Sequence, residues 1–300
     1  MAFLVDPVII NRKYVKIAEE NNEPVDNYSN RIDYFVHVPC RRCINCINSY
    51  MTQWRNRLLY EFEYMSSEQR ANSYFVTLTF CDQVLYSKDF DIALLKKRFI
   101  DRIRKSVGNS PRHWIVTEYG EKFGRLHLHG LFFDVNFPIH QLEEFWKYGI
   151  VDFSQMTENS IKYCTSYITK GAEDIIIPPD KIQRVFCSPG IGRAYCDDSY
   201  NIRYHHPSPG ILNPILQNSS QFLQAMPRYF KQKIFSDDER EDMTLQYFNE
   251  FSEDVIPDPP YRIGKQNFLD FTKYKSLCLT YVRNYKNLYR KPLKPLFNGK

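Results

Sequence analysis

The stretch Arg125-Leu126-His127-Leu128-His129-Gly130-Leu131-Phe132-Phe133 decides the predicted fold of this chain. It is rich in apolar and aromatic residues, as is typical of a buried strand. Because successive side chains of a strand point to opposite faces of a sheet, His127 and His129 share one face. Leu126, Leu128 and Gly130 point to the other face, toward packing helices. The stretch therefore predicts a sheet with a core on one face and two imidazoles on the other.

The two histidines predict a metal site. Imidazoles on one open face are natural ligands of a divalent ion, although His-x-His pairs also occur by chance and in cores. The preceding strand ends at Glu118, and a hairpin through residues 120–124 would bring that carboxylate beside the pair. Two histidines and one carboxylate suit Mg²⁺ or Mn²⁺. We predict His127, His129 and Glu118 as ligands; Glu118 could instead be an exposed carboxylate of the turn.

A second motif, Tyr163-Cys164-Thr165-Ser166-Tyr167-Ile168-Thr169-Lys170, lies on a helix predicted over residues 157–171. At 100° per residue, Tyr163, Tyr167 and Lys170 share one helix face, and apolar residues lie roughly opposite. Two tyrosines four residues apart are usually packing residues, but the lysine in register and the histidines upstream favour chemistry. We predict both tyrosines as nucleophiles, with Lys170 supplying charge that favours the phenolate.

The hydrophobic pattern predicts the order strand–helix–strand–strand–helix–strand–helix. This order is typical of an α+β fold with a split βαβ antiparallel sheet, as in ferredoxin-like and RRM folds, with helices on one face. The predicted strands are 34–38 in the N-terminal arm, then 74–80, 113–119, 126–134 and 150–153. The predicted helices are 47–65, 91–107, 139–146 with Gly149 as C-cap, and 157–171.

Composition sets broad limits on function. The 300 residues are 43% hydrophobic, enough for a sizeable core, and the net charge of +5 fits a polyanionic partner without requiring one. The 22 Tyr and 22 Phe suit base stacking or large core contacts. No signal peptide and no apolar run of about 18 residues is evident, so we predict a cytoplasmic protein without membrane contact.

Three cysteines, Cys40, Cys43 and Cys46, precede a helix with metal-ligand spacing. In a reducing compartment they are thiols or ligands rather than disulfides. Tetrahedral zinc would need a fourth ligand, for which His37, Cys81, Cys187 and Cys196 are candidates. Alternatively, Cys43 and Cys46 are buried thiols, and Arg41 and Arg42 bind phosphate.

These motifs resemble those of the HUH endonuclease superfamily: a Phe75-Val76-Thr77-Leu78-Thr79-Phe80 strand, His-Leu-His, and Tyr-x₃-Tyr-x₂-Lys. Other segments resemble replication initiators of microviruses, in particular the gokushovirus branch. They are Val38-Pro39-Cys40-Arg41-Arg42-Cys43-Ile44-Asn45-Cys46, Thr117-Glu118-Tyr119-Gly120, Ser188-Pro189-Gly190-Ile191-Gly192 and Pro227-Arg228-Tyr229-Phe230. Together they span roughly residues 36–231, and the last 70 residues match nothing.

The resemblance implies an HUH-like antiparallel sheet and Mg²⁺ or Mn²⁺ as cofactor. It also implies that the chain nicks the single-stranded phage origin, forms a 5′-phosphotyrosine link and rejoins strands in rolling-circle replication. It places Thr77 and Thr79 in a motif that positions the site, although they could be ordinary strand threonines. With them we predict Arg125, Arg41 and Arg42 as DNA contacts. No Gly-x₄-Gly-Lys-Ser/Thr loop occurs, so a host helicase and polymerase are expected partners in the host cytoplasm.

On this reading the chain has three parts. Residues 1–70 are an arm, the cysteine-rich segment and a helix, and residues 71–172 are the nuclease core. Residues 173–300 form an extension that is acidic over 236–258 and basic with interleaved tyrosines from 261. The basic tail could follow a phosphate backbone and stack bases, or pair with the acidic stretch.

Other functions compete with the origin-nicking enzyme. A plasmid relaxase or transposase of the same superfamily would use the same motifs, although the flanking phage-like segments argue against both. A metal-stabilised protein that binds single-stranded DNA without cutting it would use the Tyr-rich basic tail. A metallohydrolase that activates water at His-x-His would cleave without a covalent adduct.

Overall fold

The computed structural model describes residues 9–10, 12–24, 27, 35–36, 44–120, 124–170, 183–217, 223–240 and 242–243. Its contacts divide the chain into two compact units, Met1–Cys46 with Ser252–Lys300, and Ile47–Phe251. The described elements of the first unit are a short antiparallel strand pair and one helix. They are β1 (Ile9–Ile10), β2 (Phe35–Val36) and α1 (Arg12–Asn21).

A five-stranded antiparallel sheet organises the second unit, with strand order β6-β3-β5-β4-β7. Its strands are β3 (Tyr74–Thr79), β4 (Arg112–Tyr119), β5 (Leu126–Phe133), β6 (Val151–Gln155) and β7 (Val185–Cys187). The predicted order of strands and helices is confirmed from β3 onward. The edge strand β7 was not predicted, because three residues are too few to show a period.

Helices and one further hairpin complete the described residues. The helices before β7 are α2 (Ile44–Glu63), α3 (Ser67–Ala71), α4 (Asp82–Leu85), α5 (Ile92–Val107), α6 (Leu142–Trp146) and α7 (Glu158–Ser166). After β7 come α8 (Arg193–Asp197), α9 (Ser199–His205), the hairpin β8 (Ile215–Gln217) and β9 (Leu223–Ala225), and α10 (Arg228–Ile234). Short 3₁₀ turns cover Ile139–Gln141 and Tyr167–Thr169. No helix in these described segments is long and apolar enough to cross a membrane.

Helices cover both faces of the sheet, so the prediction of a single helical face is wrong. On one face α5 and α6 pack around Leu128 and Phe132. On the other, α2 and α7 pack around Trp114 and Leu131. The physical reason is visible in β4, where six consecutive residues, 113–118, are buried. A strand buried on both sides is covered on both sides.

The connection between α6 and β6 also differs from the prediction. Lys147, not Gly149, caps α6, with a left-handed φ of 46°. Gly149 is required for another reason: a Cβ atom there would collide with the carbonyl oxygen of Thr79. The chain thus crosses the end of β3 in close contact before β6 begins.

The segment after β7 is fastened to α2. The Arg57 guanidinium lies between the rings of Trp54 and Tyr229, 4.2 and 4.1 Å from their centroids, and donates to the carbonyl of Ile191. Glu61 accepts a hydrogen bond of 2.6 Å from the backbone N–H of Gly192. Elements on either side of residues 71–172 therefore pack on the core, while the predicted three-part division stays a prediction.

Candidate active site

Five polar residues of three adjacent strands form what we call the histidine face: Thr77, Thr79, Glu118, His127 and His129. In the strand register, Glu118 and Thr79 lie opposite His127, and Thr77 lies opposite His129. Side chains directly opposite one another point to the same face of a sheet. The hairpin between β4 and β5 thus brings the predicted carboxylate beside the two predicted imidazoles.

His129 is held by a polar partner at each ring nitrogen. Its Nε2 lies 3.1 Å from Glu118 Oε2, and its Nδ1 lies 3.2 Å from Thr77 Oγ1. Burial lowers the pKa of His129, and the hydrogen bond and charge of Glu118 oppose that shift only in part. Thr77 and Glu118 therefore fix the orientation of an imidazole that is neutral at pH 7.

Glu118 is buried, and its carboxylate accepts hydrogen bonds from the Lys170 ammonium and from His129. Burial alone would raise the pKa of Glu118, but the bonds from Lys170 and His129 outweigh it and hold the pKa below its usual value. The carboxylate is therefore ionised at neutral pH. Lys170 neutralises it in this conformation.

His127 retains unused capacity. Its Nδ1 is buried without a hydrogen-bond partner, and its ring centroid lies 6.4 Å from that of His129. A free imidazole nitrogen, a second imidazole and a carboxylate are the donor types that suit a divalent ion. Across the described ranges, however, no three His, Cys, Asp or Glu residues already converge tightly enough to hold an ion. The residues fit the predicted metal in kind, and coordination by them stays a prediction.

The tyrosine helix lies over the histidine face. The ring of Tyr167 stacks on that of His129, with centroids 4.2 Å apart and an interplanar angle of 4°. Its hydroxyl donates a 2.6 Å hydrogen bond to the hydroxyl oxygen of Tyr163. Burial, followed by the bond to Tyr163, raises the pKa of Tyr167. The structure thus joins both predicted tyrosines to the predicted metal ligands.

The local sequence explains this placement. Thr157 and Ser160 form a capping box that starts α7. The predicted apolar stripe, Ile161, Cys164 and Ile168, is buried in the core around Trp114 and Leu131. Beyond Ser166 the helix tightens to 3₁₀ geometry, so the predicted continuous helix to 171 is wrong. The tighter turn leaves the Lys170 Nζ on Glu118, 5.2 Å from the centroid of the Tyr167 ring.

Two residues of this region were not singled out from the sequence. The Phe75 ring is parallel to that of His129 at 5.8 Å and meets Tyr163 edge-on at 6.1 Å. Asp152 of β6 pairs in register with Thr77 and is exposed, which adds a carboxylate to the same face. Phe75 could have been found as the residue two positions before Thr77 on β3. Asp152 could not, because only the register of β6 against β3 places it.

The predicted DNA contacts have structural partners here. Thr79 Oγ1 donates to the carbonyl of Ile150 at 3.2 Å, and Arg125 contacts Asp82 at 2.6 Å. These bonds tie loops to the sheet, and the DNA contacts of Thr77, Thr79 and Arg125 stay predictions.

The cysteine triplet lies largely outside the described residues. Cys40, Arg41, Arg42 and Cys43 fall there, while Cys46 is a buried free thiol. The second metal site and the phosphate contacts of Arg41 and Arg42 stay predictions.

Comparison with known proteins supports the resemblance. Residues 73–172 match the family model of the replication-associated protein ORF2. The chain is 24% identical over 304 residues to the replication-associated protein ORF4 of Chlamydia phage 1, covering 90% of this chain and 71% of that protein. The chain resembles microvirus replication-associated proteins. It is also 24% identical over 324 residues to the replication-associated protein ORF2 of Spiroplasma virus 4, covering 95% and 94% of the two chains.

No solved structure matches the chain. The resemblance to microvirus replication-associated proteins is therefore confirmed by sequence comparison alone. The matched segment contains every residue predicted as a nucleophile, its cationic partner or a ligand of the first metal site: Glu118, His127, His129, Tyr163, Tyr167 and Lys170.

Proposed function

We propose that this chain initiates phage DNA replication by nicking single-stranded DNA with a tyrosine, and that its sheet is of the HUH type. The observation that carries the proposal is the tyrosine pair over the histidine face. Tyr167 stacks on His129 at 4.2 Å, and its hydroxyl bonds to that of Tyr163. The printed names of the two phage relatives, both replication-associated proteins, support the biological setting.

The residues of the site divide the chemical work. Thr77 and Glu118 orient His129, and the half-buried Phe75 ring lies parallel to it. His127, His129 and Glu118 would hold Mg²⁺ or Mn²⁺, which when bound offsets negative charge on the scissile phosphate. Lys170 brings a positive charge to the same carboxylate and to the tyrosine ring.

The proposed reaction is a transesterification. A tyrosine oxygen attacks the phosphorus in line and forms a P–O bond, while the bond from phosphorus to the 3′ oxygen breaks. The products are a 5′-phosphotyrosine and a free 3′-OH. Because the phosphodiester energy is kept, a later 3′-OH attack can rejoin the strand. Two tyrosines allow two linked transfers, one to open the circle and one to capture the next end.

The wider setting belongs to the same proposal. The substrate is the phage origin, and the work is done in the host cytoplasm. Unwinding and synthesis fall to a host helicase and polymerase, because the 300 residues contain no Gly-x₄-Gly-Lys-Ser/Thr loop.

A covalent-adduct gel tests the proposal. Single-stranded fragments that tile the genome encoding the chain, each labelled at the 3′ end, are incubated with the protein and Mn²⁺ and run under denaturing conditions. One fragment should give a labelled band at protein size. The band should vanish in the Tyr163→Phe, Tyr167→Phe double variant and persist in Tyr200→Phe, a matched control at a tyrosine that is 75% exposed and remote from the tyrosine motif.

A second function has one observation in its favour. The Glu118 carboxylate is already paired with Lys170, which would suit a protein that binds DNA without cutting it. That function predicts salt-sensitive binding of the fragments and no covalent band from any of them. A metallohydrolase instead predicts cut DNA without an adduct, unchanged in the double tyrosine variant.

A further inference from the structure

We infer that the two tyrosines are not equivalent: Tyr163 makes the first cut, and Tyr167 positions and activates it through the hydrogen bond between their hydroxyls. This inference rests on the proposed nicking function and names the division of labour within that site.

Exposure separates the two side chains. Tyr163 is 56% exposed, whereas Tyr167 is 5% exposed. The Tyr167 ring is covered on one side by His129 and meets Tyr163 edge-on, with centroids 5.0 Å apart. A phosphate group arriving from solvent can reach the Tyr163 oxygen directly. To be reached in the same way, Tyr167 would first have to leave its stack on His129.

The direction of the hydrogen bond separates them chemically. The Tyr167 hydroxyl donates, and the Tyr163 oxygen accepts, at 2.6 Å. A donor at this distance stabilises an anionic oxygen more than a neutral one, because hydrogen bonds to charged acceptors are shorter and stronger. Tyr163 is therefore the oxygen whose negative charge is favoured. Burial and this bond raise the pKa of Tyr167, so Tyr167 keeps its proton and remains the donor.

The first transfer can be written in full. Tyr163 releases its phenolic proton to solvent, and its oxygen forms a bond to phosphorus while accepting the hydrogen bond from Tyr167. The bond between phosphorus and the 3′ oxygen breaks, and that oxygen leaves with the electron pair and takes a proton from solvent. Once Tyr163 is esterified, its oxygen is a poorer acceptor. The Tyr167 hydroxyl is then released for the second transfer.

Single-turnover kinetics test the assignment. The fragment that gives the adduct with wild-type protein is mixed with excess protein and Mn²⁺, and adduct formation is followed across pH. Tyr163→Phe should lower the rate by at least about 100-fold. Tyr167→Phe keeps the ring on His129 and should lower it only about tenfold. Because the donor is lost, its rate should also continue to rise at a pH where the wild-type rate has levelled off.

A second readout needs no variant. Trypsin cuts after Lys162 and Lys170, so both tyrosines lie in one peptide, residues 163–170. In wild-type protein quenched before one turnover, fragmentation of that peptide should place the nucleotide on Tyr163.

Two results would overturn the inference while leaving the nicking function intact: a first-formed adduct on Tyr167, or equal losses in the two variants with an unchanged pH profile. If wild-type protein forms no adduct with any fragment, the proposed function fails, and this inference fails with it. Thermal unfolding of each variant, followed by circular dichroism, reports whether a lost rate reflects a lost fold.

Discussion

Leu128 and His129 are neighbours on β5, yet they belong to two different environments. Leu128 is fully buried among apolar side chains of α5 and α6. His129 is also buried, at 7% exposure, but its ring is held by Glu118, Thr77 and the Tyr167 ring. Burial does not distinguish the two faces of the sheet. What distinguishes them is whether the buried group has polar partners that leave it chemically useful.

The histidine face is itself divided. Trp114 and Leu131 lie further along the same face and pack against α2 and α7. This apolar half fixes α7, which in turn places the tyrosine pair over His129. The chemistry of one half of the face therefore depends on the packing of the other.

The largest predicted effect separates the two faces with adjacent substitutions. Leu128→Ala removes a core side chain and should lower the free energy of unfolding by about 2–5 kcal/mol. His129→Ala should lower the rate of adduct formation on the order of 10²–10³-fold while costing less stability. Urea unfolding and single-turnover cleavage, measured on both variants, check this.

Equal stability losses for the two variants, with equal residual rates, would contradict the division of the sheet into a packing face and a chemical face. The rates should be compared at a temperature where both variants are folded.

A smaller effect is expected from the buried histidine of the apolar face. His113 lies on β4 near Phe132, and burial lowers its pKa to about 4 despite its contact with the Pro111 carbonyl. Between pH 6.5 and 4 the unfolded chain binds a proton that the folded chain refuses. This histidine therefore makes stability fall as the pH is lowered through that window. From pH 7 to pH 5 it should cost about 1–2 kcal/mol.

His113→Asn removes this titration and keeps an amide near the position of Nδ1. Urea unfolding at pH 7 and pH 5 should show a smaller loss in the variant than in the wild type. The other buried histidines are present in both proteins and cancel. Identical losses would mean that His113 takes up its proton in the folded chain as readily as in the unfolded one.

The smallest predicted effect concerns the cation on Glu118. Lys170→Met leaves that buried carboxylate without its ammonium partner and should tighten Mn²⁺ binding about tenfold. Lys162→Met is the matched control, because Lys162 lies on the same helix and pairs with Glu158 on the surface at 3.5 Å. Electron paramagnetic resonance of free Mn²⁺ in a titration measures both. Unchanged binding in Lys170→Met would argue against Glu118 as a ligand.

Strand alternation was enough to predict the histidine pair and its separation from the apolar face. The hairpin through residues 120–124 was enough to predict Glu118 beside it. The helical covering of both faces was not predicted, because Trp114 and Leu131 were treated as ordinary strand residues. The Lys170 contact with Glu118 depends on the change from α to 3₁₀ geometry after Ser166, which residue spacing does not reveal. Gly149 was taken for a helix cap, although close contact with Thr79 explains it.

The most direct test of the central claim is to find where the DNA becomes attached. Protein is reacted with the nicked fragment and Mn²⁺, the DNA is digested to short remnants, and tryptic peptides are weighed by mass spectrometry. The account predicts a nucleotide remnant on the peptide of residues 163–170 and on no other, absent when His127 or His129 is changed to Ala. Cleaved DNA with an unmodified 163–170 peptide, or a remnant on a tyrosine elsewhere in the chain, would contradict it.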